Sequence, residues 1–341
     1  MDRITYKKAG VNIEAGYKVI DLLKRLSKPS KSVVSSFGGI GGLFSLDVKK
    51  LKKPLIVSCA DGVGTKLKVA FMTQRHDTVG IDLVAMSVND LVRCGAKPIF
   101  FIDYIACHKT KPEMMKEILK GIIKGCGLAG CDLLGGETAE LGDMYAPGEY
   151  DLAGFAVGIV EKDKLIDGRK IKPGDVVIGL RSSGLHSNGF SLARKVLFEM
   201  ARMRITDHLQ DTDSTVGDEL LIPTRIYVKP ILKLIHKVKV KGIAHITGGS
   251  FGEKLGRILP KGVGAVINSK AWRPHPIFNV IQKFGRIPKE EMFRTFNMGI
   301  GMVVVVAKKD VDKALKTLKG SGEKTVVIGE AVKGKGGVKV S

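Results

Sequence analysis

The stretch LIVSCADGVGTK, residues 55–66, indicates the fold class, because a strand-length apolar run passes directly into a loop of small and charged residues. Residues 55–58 are apolar enough for a buried strand. Asp61, Gly62 and Gly64 then interrupt the regular pattern. In open α/β sheets, ligands bind outside the ends of such strands. The stretch therefore predicts an α/β domain with a ligand site that begins near residue 61.

The same plan recurs along the chain. Four apolar runs each lead into a loop rich in glycine, serine or threonine: residues 55–58, 131–134, 176–180 and 243–246. Segments of helical spacing lie between them, and a polar segment with two turn signals, residues 162–174, interrupts the alternation. We therefore predict an α/β (α+β) fold of two mixed domains, residues 1–165 and 166–341. The glycine- and lysine-rich tail after Val332 is expected to fray.

One predicted helix carries polar side chains in a row. Residues 80–95 have apolar side chains at helical spacing. Asp82 and Asn89 are seven positions apart, which places them about 20° apart around a helix axis. Asp90 follows one position further round. Two acids and an amide therefore flank one edge of this helix.

The chain is basic throughout. Its 341 residues include 56 Lys and Arg against 34 Asp and Glu, a formal charge of +22. Nucleic acids attract such a charge, but the lysines are scattered, aromatic residues make up only 6%, and no base-reading motif is visible. We expect no specific nucleic-acid partner. A polyanion-binding protein is the alternative from a different functional class, and steeply salt-dependent heparin binding without enzymatic turnover would favour it.

Hydropathy and cysteine usage bear on the compartment. The longest nearly uncharged apolar run, residues 298–307, has about half the roughly 20 residues that a membrane-spanning helix needs, and it is predicted to be a buried strand. The N-terminus has no apolar segment typical of a secretory signal. The five cysteines form no C-x-x-C pair, which fits neither a disulfide framework nor a zinc ribbon. We expect reduced thiols in a cytoplasmic protein with no membrane partner.

The candidate ligand loops do not match the standard nucleotide motifs. Lys66 follows Thr65 where a P-loop has glycine, and residues 62–64 lack the third glycine of G-x-G-x-x-G. The loops and the helix edge all contain carboxylates near glycines, namely Asp61, Asp82, Asp90 and Glu137. These suit Mg²⁺, which prefers oxygen ligands and often shares them with substrate phosphates. Each acid taken alone is more often a helix cap or a solvated surface charge.

Three further segments have both a functional and a structural interpretation. Residues 38–42, with glycine at four of five positions, are either a flap that closes over phosphates or a flexible loop. His186 lies in a Ser-Gly-Asn loop, where it either meets a phosphate or a reacting amide or is simply packed. Residues 247–249 either present a hydroxyl and N–H groups to a phosphate or form a turn.

Six blocks in chain order make the interpretation more specific. They are residues 6–16 (YKKAGVNIEAG), 61–66 (DGVGTK), 75–90 (RHDTVGIDLVAMSVND), 135–140 (GGETAE), 182–189 (SSGLHSNG) and 245–249 (HITGG). In this combination the chain resembles the phosphoribosylformylglycinamidine cyclo-ligases, also called aminoimidazole ribonucleotide synthetases. The resemblance covers nearly the whole chain.

The resemblance implies an enzyme of de novo purine biosynthesis. Such an enzyme uses ATP and Mg²⁺ to convert formylglycinamidine ribonucleotide to aminoimidazole ribonucleotide, ADP and phosphate, through an iminophosphate. The resemblance also implies a homodimer in which two N-terminal sheets join in a barrel, with ATP bound near the interface.

By the same resemblance, the site residues fall into four groups. The expected catalytic residues are His186, Lys66 and Asp82. The expected Mg²⁺ ligands are Asp61, Asp82, Asp90 and Glu137. The expected ATP-binding residues are Gly38, Gly39, Gly41, Gly42, Asp61, Gly62, Gly64, Thr65, Lys66, Asn89 and Gly136. On the ribonucleotide side the resemblance places Ser187, Asn188, Thr247, Gly248 and Gly249.

The chain departs from the family pattern in two places. Lys8 and Asn12 replace residues that are usually acidic, and Ser250 and Phe251 replace a usual Gly and Leu. The second departure bears on the shape of the substrate loop. Thiamine-phosphate kinase, a related two-domain ATP enzyme, is the alternative within the enzymes, and phosphate transfer to thiamine phosphate without ring closure would distinguish it.

Overall fold

The computed structural model describes residues 12–39, 41–209, 211–334 and 336–341. Residues 6–11 of the first family block and Ile40 of the glycine loop lie outside these ranges. The helices are α1 Ile13–Leu26, α2 Leu67–Thr73, α3 Val79–Val92, α4 Pro112–Ala129, α5 Phe190–Arg194, α6 Val216–Leu221, α7 Val228–Lys237, α8 Pro276–Gly285, α9 Lys289–Thr295 and α10 Val311–Lys319. The strands are β1 Val33–Ser35, β2 Leu43–Phe44, β3 Pro54–Gly62, β4 Lys97–Cys107, β5 Asp132–Glu140, β6 Tyr150–Glu161, β7 Val176–Arg181, β8 Val240–His245, β9 Val263–Ile267, β10 Ile300–Val306, β11 Thr325–Lys333 and β12 Val338–Val340.

The N-terminal part is built on a four-stranded sheet in the order β3-β6-β4-β5, with only the β4–β5 pair parallel. Helices α3 and α4 cover one face, on which Phe101 and Ile105 are fully buried. Side chains alternate between the faces of a strand. The opposite face therefore carries Ile56, Tyr104 and Phe155, which are 67%, 37% and 41% exposed.

Close contact between α3 and α4 depends on glycine. A Cβ atom on Gly121 would lie 2.7 Å from the Asp77 carbonyl oxygen, and one on Gly80 would overlap the Ile118 carbonyl oxygen. Without these side chains the two backbones approach closely, and every α3 residue except Asp90 is buried. The helix that carries Asp82, Asn89 and Asp90 is thus held rigidly at the centre of the domain.

We predict that Gly121→Ala lowers the free energy of unfolding by about 1–3 kcal/mol, because the added methyl group overpacks the contact between α3 and α4. Gly127→Ala is the matched control, since it lies in the same helix and a Cβ there meets nothing within 4 Å. That control is expected to be neutral or more stable, given the better helix propensity of alanine. Urea unfolding of the two variants measures the difference, and equal stabilities would contradict the packing argument.

The C-terminal part contains a six-stranded sheet in the order β12-β9-β11-β7-β10-β8. Strand β10 is buried along its whole length, as the apolar run in the sequence predicted. The prediction that the tail after Val332 frays is wrong, because β12 pairs in parallel with β9. The tail is also fixed by the Ser341 N–H, which donates to the Ile267 carbonyl at 2.9 Å.

A second difference concerns β5. The sequence predicted a strand that stops at Leu134, followed by a loop, whereas β5 continues through Gly135 and Gly136 to Glu140. Backbone pairing with β4 places Asp103 opposite Gly136 and Tyr104 opposite Glu137. Sheet pairing here overrides the low strand propensity of glycine.

In the part of the chain that the structure describes, no helix is long and apolar enough to cross a membrane.

Candidate active site

The polar edge of α3 faces a segment of the C-terminal domain, residues 222–227. The Asp82 Oδ1 atom accepts hydrogen bonds from the Thr224 N–H at 2.7 Å and the Thr224 hydroxyl at 2.6 Å. Seven residues further along the helix, the Asn89 amide accepts from the Tyr227 N–H at 2.9 Å and donates to the Arg225 carbonyl at 2.8 Å. The predicted shared edge is thus the seam between the two domains.

Lys66 and Asp82 form a fully buried ion pair in this seam, with 2.8 Å between Nζ and Oδ2. The ammonium group also donates to the Ile222 carbonyl at 2.7 Å and the His186 carbonyl at 3.3 Å. Burial lowers the pKa of Lys66, and the Asp82 carboxylate opposes that shift. The side chain is fully buried and its ammonium group is surrounded by these three oxygen atoms, so it is not exposed to a phosphate. The phosphate and metal roles expected of the pair stay predictions that its geometry does not support.

An acidic cluster, formed by Asp61 and Asp90, lies at the end of β3. Burial raises the pKa of Asp61, the Gly62 N–H opposes this with a hydrogen bond, and the nearby Asp90 charge raises it further. Burial and the same two carboxylates raise the pKa of the Cys59 thiol to about 11. Burial is the larger cause in both cases, and the neighbouring carboxylates add to it. Two carboxylates at one place are ligands that a cation such as Mg²⁺ can use.

Asp90 is also tied to the C-terminal domain. Its Oδ1 atom lies 2.9 Å from the Nδ1 atom of His245, a strand residue that is nearly fully buried. Burial works to raise the pKa of Asp90, but the hydrogen bond and charge of His245, with Arg93 and Lys254, hold it below its usual value. The Nε2 atom of His245 is buried and has no hydrogen-bond partner. Asp90 therefore stays ionised beside Asp61.

Gly136 and Glu137 do not join this cluster. They lie on β5, which is separated from β3 by two strands, or about 14 Å at the usual strand spacing. The glycine loop lies on the β5 side too, since a Cβ atom on Gly42 would be 2.8 Å from Leu134 Cγ. Among the described residues, no three His, Cys, Asp or Glu side chains are grouped to hold a metal ion. Of the predicted Mg²⁺ ligands, Asp61 and Glu137 thus lie on opposite edge strands of one sheet, and Asp82 and Asp90 lie on α3.

The loop after β3 contacts the second domain. Gly64 has a φ of +71°, a backbone conformation that glycine adopts without strain, and a Cβ there would meet nothing within 4 Å. The next residue, Thr65, lies with its hydroxyl 3.1 Å from that of Ser191. Gly62 donates its N–H to the Asp61 carboxylate at 2.8 Å. The loop is therefore anchored at both ends, with open space beside Gly64.

His186 lies in the loop between β7 and α5 and is only 2% exposed. Its Nε2 atom accepts from the Ser183 N–H at 3.2 Å, while its Nδ1 atom is buried without a hydrogen-bond partner. Burial lowers the pKa of His186 well below its usual value, helped by the charges of His245, Lys66, His275 and Arg225. The imidazole is therefore neutral at pH 7, with its proton on Nδ1.

The two loops of the C-terminal domain meet each other. The Asn188 side chain accepts from the Gly248 N–H at 3.1 Å, and Ser187 donates to Asp82 at 3.0 Å. Thr247 and Gly249 flank the first contact, and Gly249 has a φ of +82°. All five residues expected on the ribonucleotide side therefore belong to one pair of adjoining loops.

The structure gives a physical reason for the departure at Ser250 and Phe251. Ser250 has a φ of +45°, a region that favours the glycine of the usual pattern. Its hydroxyl offsets this by donating to the Phe296 carbonyl at 2.9 Å. Phe251 is fully buried and its ring centroid lies 6.0 Å from that of Trp272. The loop therefore keeps a glycine-like backbone with a different anchor.

Two important residues gave no clear sign in the sequence. Asn297 accepts from the Ser182 hydroxyl at 3.0 Å and donates to the carbonyls of Gly184 and Leu185 at 3.0 Å, so it shapes the His186 loop. Thr224 binds Asp82 from a segment without glycine or a known motif. The only sign in the sequence was a polar residue next to an apolar run.

Two family models match the chain. They are the N-terminal domain of the AIR synthase related proteins, over residues 47–160, and the C-terminal domain, over residues 172–341. The phosphoribosylformylglycinamidine cyclo-ligase of Thermoanaerobacter pseudethanolicus is 55% identical over 337 residues, which is 98% of this chain and 99% of that protein. The cyclo-ligase of Geotalea uraniireducens is 53% identical over 333 residues, 97% of this chain and 96% of that protein.

Solved structures with the same fold include more distant proteins. The thiamine-monophosphate kinase of Stenotrophomonas maltophilia superimposes with a TM-score of 0.69 at 15% identity, covering 95% of this chain and 96% of that one. HypE of E. coli, a hydrogenase maturation protein, gives a TM-score of 0.67 at 15% identity, covering 95% and 93%. At this identity the likeness shows the two-domain α/β fold alone.

Proposed function

Because this chain belongs to the phosphoribosylformylglycinamidine cyclo-ligase family, we propose that it closes the imidazole ring of aminoimidazole ribonucleotide at the seam between its domains. The substrates are formylglycinamidine ribonucleotide and ATP, and the other products are ADP and phosphate. One observation carries the assignment of the site. The His245 Nδ1 atom lies 2.9 Å from Asp90 Oδ1, and Ser187, the residue after His186, donates to Asp82 of the same helix, so the acidic cluster and the His186 loop, which come from different domains, meet along α3.

The chemistry explains why such a site is needed. An amide oxygen is a poor leaving group, so the formyl oxygen must be phosphorylated before the amidine nitrogen can attack the same carbon. Ring closure then expels phosphate. Both steps depend on positioning and on stabilising negative charge rather than on a covalent bond to the protein. A rigid seam with fixed donors and carboxylates supplies these two requirements.

Asp61 and Asp90 are the residues that we propose for Mg²⁺. The ion commonly uses one or two carboxylates together with substrate phosphates, and Asp90 lines one cavity with Cys59, which lies two residues before Asp61. Bound there, Mg²⁺ would neutralise charge on the phosphates. We leave Asp82 out of this set because its Oδ1 and Oδ2 atoms already have protein partners.

His186 is the residue that we propose for hydrogen bonding to the reacting amide. Its neutral Nδ1–H group is buried and unpartnered, so a bound ribonucleotide can satisfy it. A donor aimed at an oxygen that gains charge stabilises the transition state more in a dry site than in water. Ser187, Asn188, Thr247, Gly248 and Gly249 form the adjoining loops that we propose for the ribonucleotide.

A choice of acceptor tests the proposed function. With Mg²⁺ and ATP, formylglycinamidine ribonucleotide is expected to yield ADP, whereas thiamine phosphate is expected to give no turnover above background. The reverse preference would mean that the chain is a kinase with the same fold. The five free cysteines fit our further proposal that the enzyme acts in the reducing cytoplasm.

We also propose that the enzyme is a homodimer formed through the exposed face of the N-terminal sheet. Ile56, Tyr104 and Phe155 lie on that face, and apolar patches of this kind mark protein interfaces. Two such sheets related by a two-fold axis along a barrel would bring the β5 edge of one subunit beside the β3 edge of its partner. This would reunite Gly136, Glu137 and the glycine loop with the Asp61 cluster.

Subunit mixing tests this dimer. We predict that Asp61→Asn and Glu137→Gln homodimers are both inactive, and that a mixture after subunit exchange regains about a quarter of the wild-type rate. Half of the dimers would be mixed, and each would contain one intact site of two. Mixing Asp61→Asn with Asp90→Asn is the control. It should restore no activity, because the same subunit supplies both residues to each site. A monomer in sedimentation, or no recovery in the first mixture, would overturn the arrangement.

A further inference from the structure

His186 is held by a segment of the C-terminal domain that no motif identified. Besides the Ser183 N–H, its Nε2 atom faces the Arg225 N–H at 3.5 Å. Backbone N–H groups can only donate, so two of them facing Nε2 require that this atom is unprotonated. The neutral ring therefore keeps its proton on Nδ1. The placement of the Arg225 backbone thus helps to select the tautomer.

The Thr224 side chain contributes to that placement, together with the Thr224 N–H, which donates to Asp82 Oδ1 at 2.7 Å, and the Asn89 amide, which donates to the Arg225 carbonyl at 2.8 Å. Thr224 is 1% exposed, and its hydroxyl lies 2.6 Å from Asp82 Oδ1 and 2.9 Å from the Ser187 hydroxyl. Thr224 directly precedes Arg225, and Ser187 directly follows His186. The Ser187 hydroxyl also lies 3.0 Å from Asp82 Oδ1, so the two hydroxyl groups share two protons among three contacts. They form one cluster on the Asp82 carboxylate, which joins the neighbours of the donor and of the acceptor to the rigid helix α3.

The other side of the ring is closed by packing. The Tyr227 ring lies 6.3 Å from the His186 ring between centroids, and its hydroxyl donates to the Arg181 carbonyl at 2.8 Å. Gly301 completes this wall, since a Cβ there would overlap both the Tyr227 hydroxyl and the His186 ring. The imidazole thus has little freedom to turn. The hydrogen bonds to Nε2 then decide which ring nitrogen carries the proton.

We propose that Thr224 is a positioning residue, whose hydroxyl keeps the Arg225 N–H against His186 Nε2 and so presents the Nδ1–H group to the reacting amide. This inference rests on the role proposed for His186. Thr224 itself touches neither reacting group. Its hydroxyl couples the helix that carries Asp90 to the loop that carries His186, so the two halves of the site keep one relative position.

The test uses the full-length enzyme and three threonine variants. Thr224→Val keeps the shape and removes the hydroxyl, and we expect kcat to fall about 10-fold to 100-fold with the KM for ATP within about twofold. Thr224→Ser restores the hydroxyl and should recover most of kcat. Thr317→Val is the matched control, because that buried hydroxyl bonds only to the Lys313 carbonyl of its own helix. It should keep the wild-type kcat.

A spectroscopic readout separates positioning from general damage. The ¹⁵N resonances of His186 at pH 7.5 should show a protonated Nδ1 in the wild type and in Thr224→Ser, and should move towards each other in Thr224→Val, where only the Ser183 N–H still faces Nε2. Unchanged kcat and tautomer in Thr224→Val would overturn the inference, as would equal losses in the Val and Ser variants. If Thr224→Val does not fold, Ser187→Ala removes the same link from the other side and must shift the tautomer.

The two proposals can fail separately. If the wild-type protein does not close the ring, the proposed function fails, yet the resonances still report whether Thr224 sets the tautomer. If the wild type closes the ring and the tautomer does not depend on Thr224, only the positioning role is wrong.

Discussion

Asp61→Asn is expected to reduce kcat at least about 100-fold while leaving the protein folded. The side chain makes only a local hydrogen bond, to the Gly62 N–H at 2.8 Å, and asparagine keeps that acceptor. The lost charge removes one of the two proposed Mg²⁺ ligands, and stabilisation of charge on a transferring phosphoryl group is a large part of such catalysis. Initial rates at saturating substrate, with a urea unfolding curve, measure both effects.

The control for this variant is Asp47→Asn. Asp47 is an exposed acid whose carboxylate, like that of Asp61, accepts only from a nearby backbone group, in this case the Lys49 N–H at 3.1 Å. It is expected to keep its rate and its stability. A wild-type rate for Asp61→Asn, or an equal loss for Asp47→Asn, would remove Asp61 from the proposed metal site.

Asp82→Asn, in contrast to Asp61→Asn, is expected to lose much of its stability as well as its activity. Its carboxylate neutralises Lys66, and both side chains are fully buried. Removing one partner of a buried pair leaves an uncompensated charge, which costs about 3–5 kcal/mol. We therefore predict a fall of about 3 kcal/mol in the free energy of unfolding, together with a loss of turnover because Thr224 and Ser187 lose a charged acceptor.

The double variant Lys66→Met, Asp82→Asn separates charge from packing. Without the unpaired ammonium group, it should be more stable than Asp82→Asn alone, as a double-mutant cycle would show. If Asp82→Asn is as stable as the wild type but inactive, the ion pair is not structural and Asp82 returns to the catalytic group.

The sequence predicted the order of strands and helices well, because a fully buried strand such as β10 is a continuous apolar run and an amphipathic helix such as α4 has a periodic pattern. The prediction was wrong where pairing partners decide the structure. Gly135 and Gly136 look like a loop, but β4 supplies their hydrogen bonds. The tail looks polar and loose, but β9 offers it a free edge.

For the site, spacing within one helix was informative. Asp82 and Asn89 do share an edge, and that edge meets the second domain. Spacing could not predict that a lysine from another element neutralises Asp82, because Lys66 and Asp82 meet only after folding. Nor could it place Glu137 at the far edge of the sheet, since strand order follows from the three-dimensional topology rather than from the order of motifs.

The measurement that tests the central claim most directly is the stoichiometry of one reaction. Purified protein with Mg²⁺, ATP and formylglycinamidine ribonucleotide should release one phosphate for each aminoimidazole formed, the latter detected by its diazotisable amine. Equal amounts of the two products would agree with the account, because phosphorylation and ring closure would then be coupled at one site. Phosphate release without aminoimidazole, or no turnover with a folded protein, would contradict it.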